Sequence, residues 1–181
     1  LLYRDMADPA HLLRARQSAG LRGYWPYVDG DHTDPVAAAR YSELMADSQH
    51  LIANHILDAI KLKPGQRLLD IGGGTGTFAR LASERFPEAS TAVFDLPQVI
   101  AAISPRHRGA MEVVSGNMFE DPIPKTFGTI SLVRILHDHD DAPVDRLLSR
   151  CFDALPNSGE LIIAEPMAGT RNAESIGHTY F

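Results

Sequence analysis

The sequence of 181 residues contains one cysteine, one tryptophan and only 7% aromatic residues. With Cys151 alone, no internal disulfide can form, and the chain suits a reducing compartment. No apolar run approaches the roughly 20 residues that a membrane-spanning helix needs. The first residues lack the charged start and apolar stretch of a signal peptide. Seventeen Lys and Arg stand against 23 Asp and Glu, a net charge of −6, and the basic residues gather into no patch. That distribution argues against nucleic acid as a partner. The remaining composition, 44% hydrophobic and 22% charged, is that of a globular protein able to bury a core. A cytoplasmic location is therefore expected. The chain starts at Leu1 and stops at Phe181, within TYF, without turn or cap chemistry, so a piece of a longer protein is expected too.

Hydrophobic spacing divides the chain in two. PAHLLRARQ (9–17) predicts a short helix, and Asp34-Pro35 is an N-cap and first-turn pair. The next stretch, to Ile60, carries Leu44, Leu51, Ile52, His55, Ile56 and Ala59 at helical spacing. Its Tyr41 and Met45 are candidate pocket or core residues. After Lys63-Pro64-Gly65 the period changes. RLLDI (67–71), TAVFDL (91–96), MEVVSG (111–116), TISLVRI (129–135) and ELIIAE (160–165) are short apolar runs, as buried parallel strands would be. Helical segments TGTFARLASERF, PQVIAAI and PVDRLLSRCFDA (143–154) alternate with them. The expectation is an α/β fold, a Rossmann-like doubly wound parallel sheet of about five strands preceded by linker helices. Residues 1–61 form the helical part and 62–181 the sheet domain. Such sheets bind ligands beyond the carboxyl ends of their strands. Asp70, Asp95, Gly116-Asn117, His137-Asp138 and Glu165 all fall on that rim.

The first strand runs into Asp70-Ile71-Gly72-Gly73-Gly74-Thr75-Gly76. A strand, a glycine turn and a helix N-terminus make a nucleotide site, because glycine lets backbone approach a ligand closely. The dinucleotide fingerprint would place a third glycine at 77, where Thr77 stands. Asp70 beside the glycines suits a cation better than a pyrophosphate. S-adenosylmethionine carries an ammonium and a sulfonium and no phosphate, and Asp95, 21 residues past Gly74, is placed for its ribose hydroxyls. Against this stand a helix-capping aspartate and a plain tight turn.

LLDIGGGTGTFA, VFDLPQVI, SGNMFEDPIP, LVRILHDHDD and LIIAEPM follow one another in that order. The set resembles the class I S-adenosylmethionine-dependent O-methyltransferases, in the subgroup of acetylserotonin, caffeic acid and bacterial polyketide O-methyltransferases. SLVRILHDHDD, AEPMAG and RGYWPY look most like its hydroxyneurosporene (carotenoid) branch. The resemblance spans residues 35 to 181. It implies that Asp70, Gly72 and Gly74 hold the methionine end of S-adenosylmethionine, and that Asp95 with Leu96 holds the ribose. Asn117 stands where the family has an acid near the adenine amine, flanked by Met118 and Phe119. Arg134 replaces a frequent lysine. His137 matches the catalytic base of an LHDW pattern and Glu165 an acid beside it. His139 replaces the tryptophan. The resemblance also implies a dimerisation domain upstream and a further segment downstream, hence a homodimer in the full-length protein. The acceptor would be a small apolar hydroxylated molecule, a hydroxycarotenoid first and a phenolic or polyketide hydroxyl second. A carotenoid would bring the protein against a membrane surface.

O-methylation needs alignment and removal of one proton, and histidine titrates near neutrality. In ILHDHDD (135–141), His137 is accordingly the expected base and Asp138 its support, while His139, Asp140 and Asp141 read as a solvated turn and helix start. No metal is expected. The zinc pattern H-x-H-x-D-H would require histidine at 142, where Ala142 stands. His11, His32, His50, His107 and His178 show no ligand spacing; His55 reads as core-facing or capping and Cys151 as buried and inert. The readings from other classes are a cofactor-binding domain without catalysis and a metal-dependent hydrolase.

Overall fold

A computed structural model describes residues 8, 49–50, 52–109 and 111–167. The expectations for residues 9–17, Tyr41 and Met45 lie outside the described residues. Five strands, β1 (Arg67–Ile71), β2 (Ser90–Asp95), β3 (Glu112–Ser115), β4 (Thr129–Val133) and β5 (Glu160–Ala164), form one sheet in the order β3-β2-β1-β4-β5. Every pairing is parallel. The helices are α1 (Thr77–Arg85), α2 (Pro97–Ala101), α3 (Pro105–Arg108) and α4 (Asp141–Ala154). The doubly wound α/β expectation is met. The order reverses between β1 and β4, and sheets of this kind bind ligands at such a switch point, beyond the carboxyl ends.

Alternation along the strands shows why the sheet is covered twice. Leu69 and Ile71 of β1, Ala92 and Phe94 of β2, and Ile130 and Leu132 of β4 share one face, packed with Leu147, Cys151 and Ala154 of α4. On the other face, Leu68 and Val133 pack with Phe78 and Ala82 of α1. Ala53 and Leu57, from a helical segment over 52–59, join that cluster. Its buried face is thus Ala53 and Leu57, four residues apart, rather than His55 and Ala59, which are exposed. The cluster crosses position 61, where the helical part was expected to end. Cys151 is fully buried, and burial pushes its thiol up to about 11.

β1 spans its expected run and β2 is shifted by one residue, whereas β3, β4 and β5 are shorter than their runs, and the helical part differs at two points. α4 begins at Asp141, two residues early, behind Asp140 as N-cap. α3 is an additional turn, opened by Pro105. β4 ends at Val133 rather than at position 135, because Arg134 takes a φ of +59° and leaves the strand. No described helix is long and apolar enough to cross a membrane.

The core assignment makes a stability prediction. Leu132 of the inner strand β4 is fully buried, whereas Phe152 on α4 is 80% exposed. By urea denaturation, Leu132→Ala should cost about 2–5 kcal/mol, while Phe152→Ser should stay within about 0.5 kcal/mol of the parent.

Candidate functional site

Five strand ends carry the expected residues to one rim, and contacts join the loops that hold them. Asp70 lies in β1 with its side chain in the interior, where its Oδ1 accepts a 2.7 Å hydrogen bond from the Ser131 hydroxyl of β4. Its Oδ2 is buried without a hydrogen-bond partner. A Cβ built on Gly73 would stand 2.3 Å from that oxygen, so the middle glycine lets the loop close over the carboxyl. Burial pushes Asp70 up to about 7, against the lowering effect of Ser131, and the nearby Asp95 adds to the rise.

Asp95 ends β2. Its Oδ2 accepts from the Gly74 amide at 2.8 Å and its Oδ1 from the Leu96 amide at 2.7 Å. Burial raises it to about 6 even so. One carboxylate therefore ties the glycine loop to the start of α2, and each oxygen keeps acceptor capacity for a hydroxyl. At the other end of the loop, Gly76 caps α1 with a φ of 80° and no side chain bonds the helix's first amides. Those amides are the donors a ligand carboxylate would use.

Beyond β3, the Asn117 side-chain oxygen accepts from the Phe119 amide at 2.9 Å, and the Asn117 amide donates to Asp121 at 2.7 Å. Arg150 of α4 fixes the turn from below, donating to the Met118 carbonyl at 2.9 Å and to the Asp121 carbonyl. The Asn117 oxygen thus already serves its own turn. The Phe119 ring meets the His139 ring edge to face, with centroids 4.9 Å apart. His139 was expected in a solvated turn. It is instead half-buried against Phe119, and burial lowers its pKa.

After β4 the chain makes a 3-10 turn, Leu136–Asp138, that carries His137. Its Nδ1 lies 2.5 Å from Glu165 Oε2, at the end of β5. Glu165 Oε1 accepts from the Ile135 and Leu136 amides, both at 2.7 Å. Burial pushes the Glu165 carboxyl up, but the bonds from His137 and the two amides outweigh it and hold the group below its ordinary range. An ionised carboxylate can only accept, so His137 Nδ1 carries the proton and Nε2 is the basic nitrogen. Glu165 raises His137 above its ordinary value; burial opposes, and Asp138 reinforces the rise. Asp138 Oδ1 is 3.4 Å from Nε2, and burial raises its own carboxyl. Arg134 precedes this turn and joins the strand end to it. Among the described residues, no group of three or more His, Cys, Asp or Glu side chains is placed to hold a metal.

Several contributors were not singled out beforehand. Ser131 was legible as a hydroxyl set between the apolar Ile130 and Leu132 of β4. Gly73 was visible as the middle glycine, but its reason, the Asp70 oxygen beneath it, was not. The Ile135 and Leu136 amides had no signal at all.

A profile of the O-methyltransferase domain family matches residues 6–180. The chain belongs to that family. It is 41% identical to the demethylspheroidene O-methyltransferase of Rhodobacter capsulatus over 183 residues, covering 100% of this chain and 46% of the relative. The enzyme of the same name from Cereibacter sphaeroides is 40% identical over 188 residues, covering 99% and 49%. The chain thus spans about half the length of these curated relatives. Among solved structures, an O-methyltransferase from neocarzinostatin biosynthesis, bound to S-adenosylmethionine and 2-hydroxy-5-methyl naphthoic acid, superposes with a TM-score of 0.75 at 27% identity. That likeness covers 93% of this chain and 54% of the other. Human N-acetylserotonin methyltransferase shares the fold, with a TM-score of 0.74 at 22% identity over 89% of this chain and 48% of the other.

The electrostatics of the family's glycine loop here carry a stability prediction. Asp70 is raised, so between its ordinary range and pH 7 the folded state keeps a proton that the unfolded chain has lost. Stability should therefore fall as pH rises through that window, and the loss is complete above it. Asp70→Asn keeps the neutral form. It should exceed the parent at pH 8 by an amount on the order of a few kcal/mol and match it near pH 4. Urea denaturation at both pH values reads this, and a gap that does not change with pH would contradict the buried-acid account.

Proposed function

We propose that this chain carries the cofactor site and catalytic base of an S-adenosylmethionine-dependent O-methyltransferase, acting on a hydroxyl of an apolar small molecule. The observation that carries the reading is the Glu165-His137 pair, 2.5 Å apart and seated on two backbone amides, on the same rim as the glycine loop. Residues 62–181 serve as the catalytic domain and 1–61 as helical linker toward a dimerisation region. The full-length protein works as a homodimer in the cytoplasm.

The residues fit the cofactor. Asp70 presents a buried oxygen without a partner to a cation, under a loop whose backbone is left bare by glycine. Gly72, Gly74 and Asp70 would hold its amino-acid end, Asp95 and Leu96 the ribose, and Asn117, Met118 and Phe119 the adenine, with Arg134 as a further cofactor contact. S-adenosylmethionine supplies a methyl already activated on a sulfonium. The protein's task is to orient the acceptor and take its proton. His137 Nε2 receives that proton as the hydroxyl oxygen attacks. Glu165, held below its ordinary range, orients the ring through Nδ1 and stabilises the imidazolium. Asp138, 3.4 Å from Nε2, adds a second acid on the side of the new charge.

A hydroxycarotenoid is the first acceptor, supported by the two demethylspheroidene O-methyltransferase relatives. Such a substrate would hold the protein at a membrane surface. A phenolic or polyketide hydroxyl is second, supported by the naphthoic acid bound in a structural neighbour. The deciding experiment incubates labelled S-adenosylmethionine and the full-length protein with hydroxycarotenoids and with phenols, and follows one added methyl by mass. Label in neither class, alongside intact binding of S-adenosylhomocysteine, would leave a binding domain only.

The base assignment predicts kinetics. His137→Ala should lower kcat roughly 10²- to 10⁴-fold with little change in cofactor affinity. In the parent, activity should rise with pH through a midpoint above the ordinary histidine value, because the raised group must lose its proton to act. Glu165→Gln presents an amide N–H or a neutral oxygen to Nδ1. It should slow kcat at least roughly 10²-fold and move the midpoint downward. Unchanged turnover in His137→Ala would end the base assignment.

A further inference from the structure

β4 gives way where its neighbour still runs alongside. Val133 pairs with Ala164 of β5, and the Arg134 amide still donates to the Ala164 carbonyl at 2.9 Å. Yet Arg134 has a φ of +59°, the one positive value at a non-glycine position among the described residues. A long side chain with a Cβ has no local reason to adopt that conformation, which glycine or asparagine accepts readily. The next residue, Ile135, returns to the right-handed region at φ −114° and ψ −47°. A left-handed residue followed by a right-handed one turns successive amides to one side, and the concavity so formed binds an anion. The anion here is a side chain. Glu165 Oε1 accepts from the Ile135 and Leu136 amides at 2.7 Å each, while Oε2 meets His137 Nδ1 at 2.5 Å.

We infer that Arg134 is a positioning residue whose backbone sets the orientation of the base: its left-handed turn builds the two-amide seat for Glu165, and the seated carboxylate fixes the His137 ring. The inference rests on His137 being the base. Were Arg134 extended, β4 would run on and successive amides would point to opposite sides. Oε1 could then keep only one of its two bonds, and the Glu165 carboxylate would swing or lose its ionised form. The charged groups around the ring are Glu165 beyond β5, Asp138 in the same turn and the Arg134 guanidinium before it. The Gly72 loop presses on this turn from the β1 side: a Cβ there would come within 2.4 Å of the Ile135 side chain. The seat is therefore wedged between the cofactor loop and β5.

Four variants separate backbone from side chain: Arg134→Gly, Arg134→Asn, Arg134→Ala and Arg134→Val. All remove the guanidinium, so all should raise the KM for S-adenosylmethionine alike. Glycine and asparagine accept the left-handed turn, alanine does so poorly and valine resists it most. In cofactor-free protein, proton and nitrogen NMR should find the low-field His137 Nδ1–H resonance and the raised titration kept in the Gly and Asn variants. Both should be lost in the Val variant. kcat should divide the same way, Val falling roughly tenfold or more below Gly. Should the Val variant fail to fold, the Ala variant against Asn makes the same comparison. Identical His137 titration and kcat across Gly, Asn, Ala and any folded Val would overturn the backbone role. If His137→Ala turns over normally while the NMR division holds, the base reading fails and the seat survives.

Discussion

The Glu165 carboxylate binds three donors from a single turn, the amides of Ile135 and Leu136 and the His137 ring. Much of the geometry at this end of the rim follows from that one group. A buried carboxylate stays ionised only if its lone pairs are met, and its side chain here is 6% exposed. The donors sit on the segment that leaves β4 and the acceptor on the segment that leaves β5. The bond set therefore locks the two strand ends together just where their ladder stops. It also determines which ring nitrogen of His137 is basic, and so which direction the ring can serve. Without the amides, burial would dominate the Glu165 titration and favour the neutral acid. Without His137, one oxygen would be left unmet. The turn and the His137 ring therefore depend on one carboxylate.

The opposite end of the rim solves a similar problem differently. Asp70 is fully enclosed, with one hydroxyl donor and one oxygen without a partner, and it rises to about 7. Asp95, equally acidic by nature, has two amide donors and rises less, to about 6. Burial raises all three acids, most strongly the enclosed Asp70 and Asp95, and the donors oppose it: one hydroxyl for Asp70, two amides for Asp95, two amides and an imidazole for Glu165. A cation above the glycine loop would find in Asp70 a carboxyl that is costly to ionise alone and gains most from company. Such a pairing would couple the arrival of a cation to loss of the Asp70 proton, with the Ser131 hydroxyl sharing the charge.

The fold was legible because its strongest signal is periodic. Short apolar runs with both faces buried, separated by helical spacing, admit few arrangements besides a parallel sheet covered on each side. That the glycine loop, Asp70, Asp95, His137 and Glu165 share one rim was legible because parallel strands send every carboxyl end to one edge, so position along a strand predicts position on that rim. Strand ends were less legible, since the run reaches one more apolar residue, Ile135, while the backbone has already turned at Arg134. Composition cannot register a φ of +59° at an arginine. Backbone donors were invisible for the same reason: every residue but proline has an amide, and only geometry selects the two that matter. His55 misled because helical spacing offers neighbouring faces, and the one that won carries Ala53 and Leu57.

His139 shows how a residue type can mislead even where the position is right. Two histidines and three aspartates in seven positions suggested solvated polarity beyond the base, and Asp140 and Asp141 do open α4 at the surface. His139, just before them, is drawn inward because the Asn117 turn, pinned by Arg150, presents the Phe119 ring at 4.9 Å. An imidazole edge on a phenyl ring is favourable when the imidazole is neutral or protonated, but half-burial penalises the charged form. The lowered pKa of His139 and the raised pKa of His137 then diverge within two residues of each other. Near neutrality the first remains an uncharged wall and the second is poised to hold a proton. Environment, through one aromatic neighbour and one carboxylate, assigns the two identical side chains opposite work.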